Sequence, residues 1–235
     1  MIDEFHRDGF VVARNVFSAA EAAALKNEAR RVVAPEPGDR PAADAKARED
    51  FRRHGVFLGL AANSPLFRDA ARHPEIVAAL RRILGPHVVF LNDKLVRKSA
   101  DTDFGSPWHQ DYPYWKGSHK LSVWIALDAA TAGNGCLKVI PGSHRVGVLD
   151  HGGDANDGHG FNNRLTSDLV NEEEAVPVEV EAGSAIIFGD LLFHASYPNT
   201  SGKDRWALIS TYKNGSEPDP PYDWASAAFA VCTPG

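Results

Sequence analysis

The chain has 235 residues, with 25 Lys and Arg against 31 Asp and Glu and a formal net charge of −6; this acidic balance argues against a protein that binds nucleic acid through a basic face. Hydrophobic residues make up 43% of the sequence, which favours a single folded domain over residues 1–235 rather than a disordered chain. Because no apolar run approaches the roughly 20 residues of a membrane-spanning helix and the acidic N-terminus is unlike a secretory signal, we expect a cytoplasmic protein without a membrane partner.

The first third of the chain predicts helices. A short helix and then a short strand at residues 9–12 open the sequence. Ser18 begins a longer helix, because Glu21 stands at the capping-box spacing and strong helix formers continue until Pro35. A second helical stretch, with one break at an internal proline, is predicted over residues 65–85.

From residue 88 the hydrophobic pattern becomes that of strands. Strands are predicted at residues 88–98, 121–128, 136–142, 176–180, 185–189 and 206–212, separated by turn signals of Gly, Asn and Ser. Helices therefore come first and strands follow, which favours an α+β, mainly β fold over an alternating α/β fold. The many short strands indicate a sandwich or jelly-roll barrel.

Two long polar segments interrupt this pattern. Residues 35–55 and 150–168 contain few large apolar side chains, so neither can bury a core of its own. Segments of this length inside a compact domain are usually functional or disordered. We expect both to be mobile lids that become ordered when a substrate binds.

A metal site is predicted from three residues. His109 and Asp111 stand two apart, so in an extended segment their side chains point to the same side. His194, which follows an apolar strand, is the best candidate for a third ligand. Two histidines and one carboxylate form the facial triad of non-haem Fe(II) oxygenases and leave three positions open, whereas zinc is a poorer fit. Taken alone, a His-x-Asp pair is more often an ordinary polar pair than a metal ligand.

Two residues downstream of the triad suggest a carboxylate clamp. Arg205 stands 11 residues after His194, and its guanidinium can bind a carboxylate in bidentate geometry. Ser196 can add a hydroxyl donor to the same group. An open iron beside such a clamp fits 2-oxoglutarate, whose 2-oxo acid end chelates the metal and leaves the last position to O2. The alternative for Arg205, considered by itself, is a surface ion pair.

Three longer segments carry a family resemblance. They are PWHQDYPYW at 107–115, LSVWIALDAATAGNGCLKVIPGSH at 121–144 and FGDLLFHASYPNTSGKDRWAL at 188–208. The sequence resembles the phytanoyl-CoA dioxygenase family of Fe(II)/2-oxoglutarate-dependent oxygenases over nearly its whole length, from about residue 4 to about residue 213. The NGCLKVIPGSH string is much more specific than the His-x-Asp pair.

The resemblance implies a fold and a set of ligands. The fold would be a double-stranded β-helix, a cupin-like jelly roll, with N-terminal flanking helices. His109, Asp111 and His194 would hold Fe(II), and Arg205 and Ser196 would hold the distal carboxylate of the cosubstrate 2-oxoglutarate.

Further contacts to the cosubstrate are also implied. Trp124 stands where the family often has a tryptophan beside 2-oxoglutarate. Asn92, Lys94 and Lys98 lie on one face of the 88–98 strand, where the family places polar contacts, and the sequence does not choose between them.

The aromatic residues after the first two ligands are candidates for substrate binding. Tyr112, Tyr114 and Trp115 are expected to border the open face of the iron, because aromatic rings offer apolar area with polar tips. The alternative is that they belong to the barrel core, and for Tyr114 the two interpretations are evenly balanced.

These observations favour an oxygenase that acts on a small-molecule metabolite, with natural-product biosynthesis as the expected setting. Because Asp111 is present, hydroxylation is favoured, while desaturation, cyclisation or epimerisation would follow from the same hydrogen abstraction. Two alternatives stay open: a non-catalytic β-barrel that binds a metal or ligand, and a metal-dependent hydrolase. The protein is expected to be a monomer or a homodimer.

Overall fold

The structure is a computed structural model that describes residues 1–34, 55–100, 105–150, 163–225 and 227–233. The two predicted lids at 35–55 and 150–168 lie mostly outside the described residues, so their mobility stays a prediction. No helix in the described part of the chain has the length and apolar character needed to cross a bilayer.

The described residues contain six α-helices, which lie mainly in the N-terminal half of the chain. They are α1 (Ile2–Asp8), α2 (Ala19–Val33), α3 (Leu60–Asn63), α4 (Pro65–Ala70), α5 (Pro74–Leu84) and α6 (Tyr112–Trp115). The predicted capping box begins α2: the Ser18 hydroxyl accepts from the Glu21 amide, and the Glu21 carboxylate accepts from the Ser18 amide at 2.7 Å. The predicted helical stretch at 65–85 is divided at Pro74 into α4 and α5.

Most strands lie close to the predicted positions. They are β1 (Phe10–Ala13), β2 (Val56–Leu58), β3 (Val88–Lys98), β4 (Lys120–Ala126), β5 (Leu137–Val139), β6 (Val176–Val178), β7 (Ala185–Gly189), β8 (His194–Ser196), β9 (Arg205–Asn214) and β10 (Phe229–Cys232). Short 3₁₀ helices occur at Ser143–Val146, Glu172–Glu174 and Asp223–Ala225. The sequence pattern did not indicate α3, α6, β2, β8 or β10.

The strands form two antiparallel sheets. The larger has the order β1-β7-β4-β9-β3-β10, with β2 pairing alongside β3, and the smaller has the order β6-β5-β8. This mostly antiparallel arrangement of two sheets with helices on one outer face agrees with the predicted mainly β, jelly-roll fold.

The pleat of the larger sheet separates two cores. On β4, Val123 and Ile125 belong to the cluster that also contains Phe67 and Leu80 of the helices. The alternating residues Trp124 and Ala126 instead belong to a cluster shared with Leu137 and Val139 of the smaller sheet. Side chains on this second face line the interior of the barrel, where the predicted site residues must lie.

A bulge in β3 decides which of its side chains face that interior. The pairing of β3 with β9 shifts register between Phe90 and Asn92. Phe90 and Leu95 consequently both belong to the helix-side core, although they are an odd number of residues apart. After the bulge, Asn92 and the even-numbered residues that follow, including Lys94, point to the barrel interior, as the alternation of side chains requires.

Candidate metal centre

The backbone brings the two predicted histidine ligands together across the smaller sheet. His109 and His194 form an isolated antiparallel bridge. The amide of each donates to the carbonyl of the other, at 3.0 Å and 3.1 Å. Both residues are buried, and their ring centroids lie 4.1 Å apart. Two ligands separated by most of the barrel sequence are therefore fixed by main-chain hydrogen bonds.

The side chains of the triad converge on one point. His109 Nδ1 lies 2.8 Å from the Pro107 carbonyl, and His194 Nδ1 lies 3.0 Å from the Leu192 carbonyl. A protonated Nδ1 donating to each carbonyl leaves Nε2 of both rings as a lone-pair donor, which is the usual arrangement of metal-binding histidines. These Nε2 atoms lie 3.8 Å and 3.7 Å from Asp111 Oδ1. The three ligand atoms lie within 4.8 Å of one another, so the predicted triad could hold a metal ion.

The electrostatics of the triad favour the protonation states that a metal needs. Burial lowers the pKa of His109 and of His194, so both rings stay neutral at neutral pH. Burial would raise the pKa of the Asp111 carboxyl, but the neighbouring His194, Lys94 and His109 outweigh it and hold that pKa below its usual value. Two neutral imidazoles and one carboxylate are the donor set of an Fe(II) face.

Neighbours of the triad fix the carboxylate of Asp111. Its Oδ2 accepts a hydrogen bond from the Ser122 hydroxyl at 3.0 Å. Gln110, which lies between the two ligands in sequence, points the other way, and its amide donates to the carbonyls of Gly147 and Leu191 at 2.8 Å each. The segment that carries His109 and Asp111 is thus held on both sides.

Asp190 connects this segment to the start of β4. Its backbone carbonyl accepts from the amides of Asp111 and Tyr112, at 2.9 Å and 3.0 Å. Its buried carboxylate accepts from Trp115 Nε1 at 3.0 Å and from the Lys120 amide at 2.9 Å. The role of Asp190 was not predicted from the sequence, although it stands in the FGD string directly before the segment that ends at His194.

Arg205 is buried, not a partner in a surface ion pair. It is 2% exposed and its pKa is lowered by that burial to about 10. Its Nη2 donates to the Gly135 carbonyl at 2.6 Å, while Nη1 is buried and has no hydrogen-bond partner among the described residues. Burying a guanidinium N–H without an acceptor costs free energy. Nη1 is therefore a suitable donor to the carboxylate of a bound ligand.

Two further residues complete the surroundings of Arg205. Its guanidinium lies 5.2 Å from the ring centroid of Trp124, and the contact of this tryptophan with 2-oxoglutarate stays a prediction. Lys98 is paired directly opposite Arg205 in the sheet, and its ammonium donates to the Tyr197 carbonyl. Burial, and then the charge of Arg205, lowers the pKa of Lys98 to about 7. Two buried cations side by side favour binding of an anion.

The other residues predicted to contact the cosubstrate differ in the interactions that they already make within the protein. The Ser196 hydroxyl accepts from the Ser106 amide and shares a hydrogen bond with the Ser106 hydroxyl, both at 2.9 Å. The Asn92 side chain donates to the Trp224 carbonyl at 2.7 Å. Lys94 lies close enough to all three triad residues for its charge to lower their pKa values. Of the three predicted residues on β3, it is the one that acts directly on the metal centre.

The three predicted substrate residues are spread over different surroundings. The ring of Tyr114 lies edge-on to His109 with centroids 6.3 Å apart, and Tyr114 is 42% exposed. Trp115 packs against Trp224 with centroids 6.1 Å apart. Tyr112 borders a surface cavity of about 330 Å³ whose lining includes no member of the triad. Tyr114 and Trp115 are thus near the metal centre or its rim, whereas Tyr112 also faces a separate cavity.

Comparison with known proteins gives a family match over most of the chain. The model of the family described as Phytanoyl-CoA dioxygenase (PhyH) matches residues 5–207. Among curated proteins, an L-proline trans-4-hydroxylase from Streptomyces griseoviridis is 30% identical over 166 residues, which cover 60% of this chain and 60% of the relative. The chain therefore matches under two thirds of that hydroxylase's length.

Solved structures confirm the predicted fold. The apo form of the non-heme monooxygenase ThoJ superposes with a TM-score of 0.78 and 25% identity, covering 99% of this chain and 84% of the other. EvdO2 from Micromonospora carbonacea var. aurantiaca, complexed with 2-oxoglutarate, superposes with a TM-score of 0.70 and 25% identity over 94% of this chain and 93% of its own. These neighbours have a mostly antiparallel, cupin jelly-roll fold, as the sequence predicted for this chain.

Proposed function

Because this chain belongs to the phytanoyl-CoA dioxygenase family, whose members use Fe(II), 2-oxoglutarate and O2, we propose that it oxidises a small organic molecule, with hydroxylation as the expected outcome. The observation that carries the proposal is the combination of a buried triad of His109, Asp111 and His194 with the buried Arg205 in the same barrel. A triad alone suits any divalent metal, but the unsatisfied guanidinium beside it calls for a carboxylate ligand.

The described residues fit both absent groups. The donor set and the orientation of both imidazoles fit Fe(II), and the pair of buried cations, Lys98 and Arg205, fits the distal carboxylate of 2-oxoglutarate. When bound, iron and 2-oxoglutarate supply the oxidising chemistry with O2, and the cosubstrate leaves as succinate and CO2. Trp124 lies against the guanidinium and would border the cosubstrate chain.

The protein's own part is to hold charges and exclude water. Ser122 donates to Asp111 Oδ2 and thereby fixes one oxygen of the carboxylate, leaving Oδ1 facing the two imidazoles. Burial keeps both histidines neutral, so no proton has to leave them when the metal binds. A dry site strengthens each of these interactions relative to water.

The substrate is proposed as a class. A small metabolite of natural-product biosynthesis is favoured, because the fold accommodates many substrates and a coenzyme A ester would require a basic surface for its phosphates that the acidic chain does not offer in its composition. Tyr114 and Trp115 are proposed to border it, with Tyr112 as a weaker candidate. We also propose that the whole chain is one cytoplasmic domain that acts as a monomer or homodimer.

The test separates this function from its alternatives. Anaerobic addition of Fe(II) and 2-oxoglutarate to the protein should produce a weak visible charge-transfer band, and admission of O2 should produce succinate. The variant Asp111→Ala should give neither signal, while Arg145→Ala, which removes a guanidinium bound to the Arg7 carbonyl on the outer surface, should give both. A protein that binds iron without the band or succinate would be a non-catalytic module, and turnover without O2 would indicate a hydrolase.

A further inference from the structure

The register of the larger sheet shows in which order the interior-facing residues follow one another along the barrel. Asn92 pairs opposite Thr211, which in turn pairs opposite Ser122, the hydrogen-bond donor to the metal ligand Asp111. Six residues away along β9, about 20 Å in an extended strand, Arg205 pairs with a lysine at the other end of the same face. The Arg205 guanidinium reaches from that end to Trp124, whose row adjoins that of Ser122, so it approaches the metal centre from one side.

An ionic cluster lies at the end of the barrel away from Arg205. Lys120, two residues before Ser122 on β4 and one row further from Arg205, is fully buried. Its ammonium lies 3.2 Å from an Asp219 oxygen and 3.1 Å from the Tyr222 hydroxyl. Lys213, paired with Lys120 in the sheet, also lies 2.7 Å from Asp219. The segment that carries Asp219 and Tyr222 is therefore anchored to the start of β4 and the end of β9.

The same segment brings two aromatic rings to the rim of the metal centre. The Trp224 carbonyl accepts from Asn92, which faces the barrel interior. The Trp224 ring lies 6.1 Å from that of Trp115 and 5.0 Å from that of Tyr222, each at an interplanar angle of 33°. Trp115 comes four residues after the metal ligand Asp111. None of the three rings is fully buried.

We propose that Trp115, Tyr222 and Trp224 form an aromatic wall that binds the ring of a ring-bearing substrate on the side of the metal away from Arg205. The proposal rests on the proposed function, since that function places 2-oxoglutarate toward Arg205 and leaves the opposite side to the substrate. Tyr222 and Trp224 lie in the C-terminal segment and are additional to the substrate residues that the sequence indicated.

The chemistry of the wall indicates the substrate class. Trp224 stacks against both Trp115 and Tyr222 at shallow angles, and the edges and outer faces of such a stack pack well against the face of a saturated or aromatic ring. The ammonium of Lys120 lies behind them, 4.9 Å from the Tyr222 centroid and 6.0 Å from that of Trp115. The Lys120 ammonium already donates to Asp219, to the Ser118 carbonyl and to the Tyr222 hydroxyl, so its donors are used within the cluster and the wall does not require an anionic substrate.

The wall can be tested without knowing the natural substrate. The probes are cyclohexanol and 1-hexanol, which have equal carbon number but only one of which has a ring. The measurement is the paramagnetic enhancement of probe proton relaxation by Mn(II) bound to the protein, with a Zn(II) sample as the diamagnetic reference. It is made on the unchanged protein, on Trp224→Leu and on Phe229→Leu. Phe229 lies five residues further along but packs on the outer face against Phe90, so it is the matched control.

We expect the relaxation of cyclohexanol to exceed that of 1-hexanol in the unchanged protein and in Phe229→Leu, and to fall at least threefold in Trp224→Leu. Equal enhancement in Trp224→Leu and the unchanged protein, or equal enhancement of both alcohols, would overturn the wall. The anaerobic charge-transfer band, recorded on separate portions of the same three proteins loaded with Fe(II) and 2-oxoglutarate, reports the iron and 2-oxoglutarate site independently. A retained band with unselective probes would reject the wall alone, and a missing band with selective probes would reject the proposed function alone.

Discussion

Asp111 is held by interactions that do not depend on a bound metal. Its amide donates to the Asp190 carbonyl and its carboxylate accepts from Ser122. We expect Asp111→Ala to abolish iron-dependent turnover and to weaken Fe(II) binding in anaerobic titration, while circular dichroism stays unchanged because the backbone bridge between His109 and His194 remains. Full iron affinity and activity in this variant would contradict the assignment of the triad.

Arg205 presents a sharper test, because a second arginine serves as its control. Arg205→Ala should raise the concentration of 2-oxoglutarate required for half-maximal rate about 10- to 100-fold, since a hydrogen bond to a charged group contributes roughly 1.5–3 kcal/mol. The KM for the substrate should change much less. Arg145→Ala, whose guanidinium binds the Arg7 carbonyl, should leave both unchanged. An unaltered dependence on 2-oxoglutarate in Arg205→Ala would place the carboxylate elsewhere.

The triad and Arg205 could be proposed from the sequence because the spacings that point to them are short. The His-x-Asp spacing, and the fixed distance from His194 to Arg205, are visible in the sequence itself. Ser122 and Asp190 could not be predicted, because their importance comes from which backbone amides and carboxylate oxygens the register places beside them. Neither an isolated serine in a strand nor an aspartate after a glycine carries a signal of its own.

Among the elements, α3 depends on a carboxylate that another strand supplies. Asp93 on β3 is buried and accepts from the amide of Ala61 at 3.0 Å, and burial raises its pKa to about 6. The folded state then holds its proton more tightly than the unfolded chain. The contribution of Asp93 to stability is therefore fully present below pH 3.8 and is lost as the pH rises through about 6.

The variant Asp93→Asn isolates that titration. Relative to the variant, the unchanged protein should gain about 1 kcal/mol of unfolding free energy between pH 8 and pH 5, since one pKa unit corresponds to about 1.4 kcal/mol. Urea unfolding at the two pH values measures the difference. A difference that does not vary with pH would mean that Asp93 is not the titrating group.

Asp190 joins α6, β4 and the segment before β8. An alanine there would leave the N–H groups of Trp115 and Lys120, which both donate to Oδ2, and the His119 ring beside Oδ1 without their carboxylate partner. We expect Asp190→Ala to retain iron binding, because the backbone carbonyl that holds Asp111 remains, but to reduce the ratio of oxidised substrate to succinate. Trp115→Phe, which removes only one of these contacts, should show a smaller reduction. An unchanged ratio in both variants would contradict a positioning role for Asp190.

Long elements were predicted well and short ones were not. The periodicity of residues 88–98 specified β3 to the residue, because its pattern extends over eleven residues. The predicted strand at 136–142 contracts to Leu137–Val139, since the prediction included Ile140, which continues the apolar run, and the first two residues of the Pro-Gly-Ser turn. β8 has three residues, too few for a periodic pattern, and it forms because it pairs with β5, which is far away in sequence.

For the whole molecule, the two free cysteines report unfolding. Cys136 is fully buried and burial raises the pKa of its thiol to about 11, whereas Cys232 is only half-buried. Iodoacetamide should therefore label one thiol of the folded protein quickly and Cys136 only when the barrel opens. Mn(II) and 2-oxoglutarate, each at ten times its dissociation constant, should together slow the labelling of Cys136 about 100-fold, because each ligand that binds only the folded state stabilises it by a factor of about ten.

The control for this measurement is Arg205→Ala, in which 2-oxoglutarate should no longer add protection at the same concentration. Rapid labelling of both thiols in the folded protein would contradict the burial of Cys136.

The overall architecture was predictable because helices precede strands along the chain and because three motif strings resemble one family. The order of strands in the two sheets was not, since antiparallel neighbours such as β4 and β9 are joined only through long-range packing.

The hydrogen bonds between His109 and His194 also bear on which ion the protein carries. Their paired backbones hold both ligands in place before any ion arrives, so the site offers the same rigid face to every divalent ion. Affinities for such nitrogen and oxygen donors rise from Mn²⁺ through Fe²⁺ and Co²⁺ to Ni²⁺ and Cu²⁺. A preformed face of this kind has little means of rejecting the tighter binders. Mismetallation is therefore the expected fate of the purified protein, and its metal content records the ions to which it has been exposed.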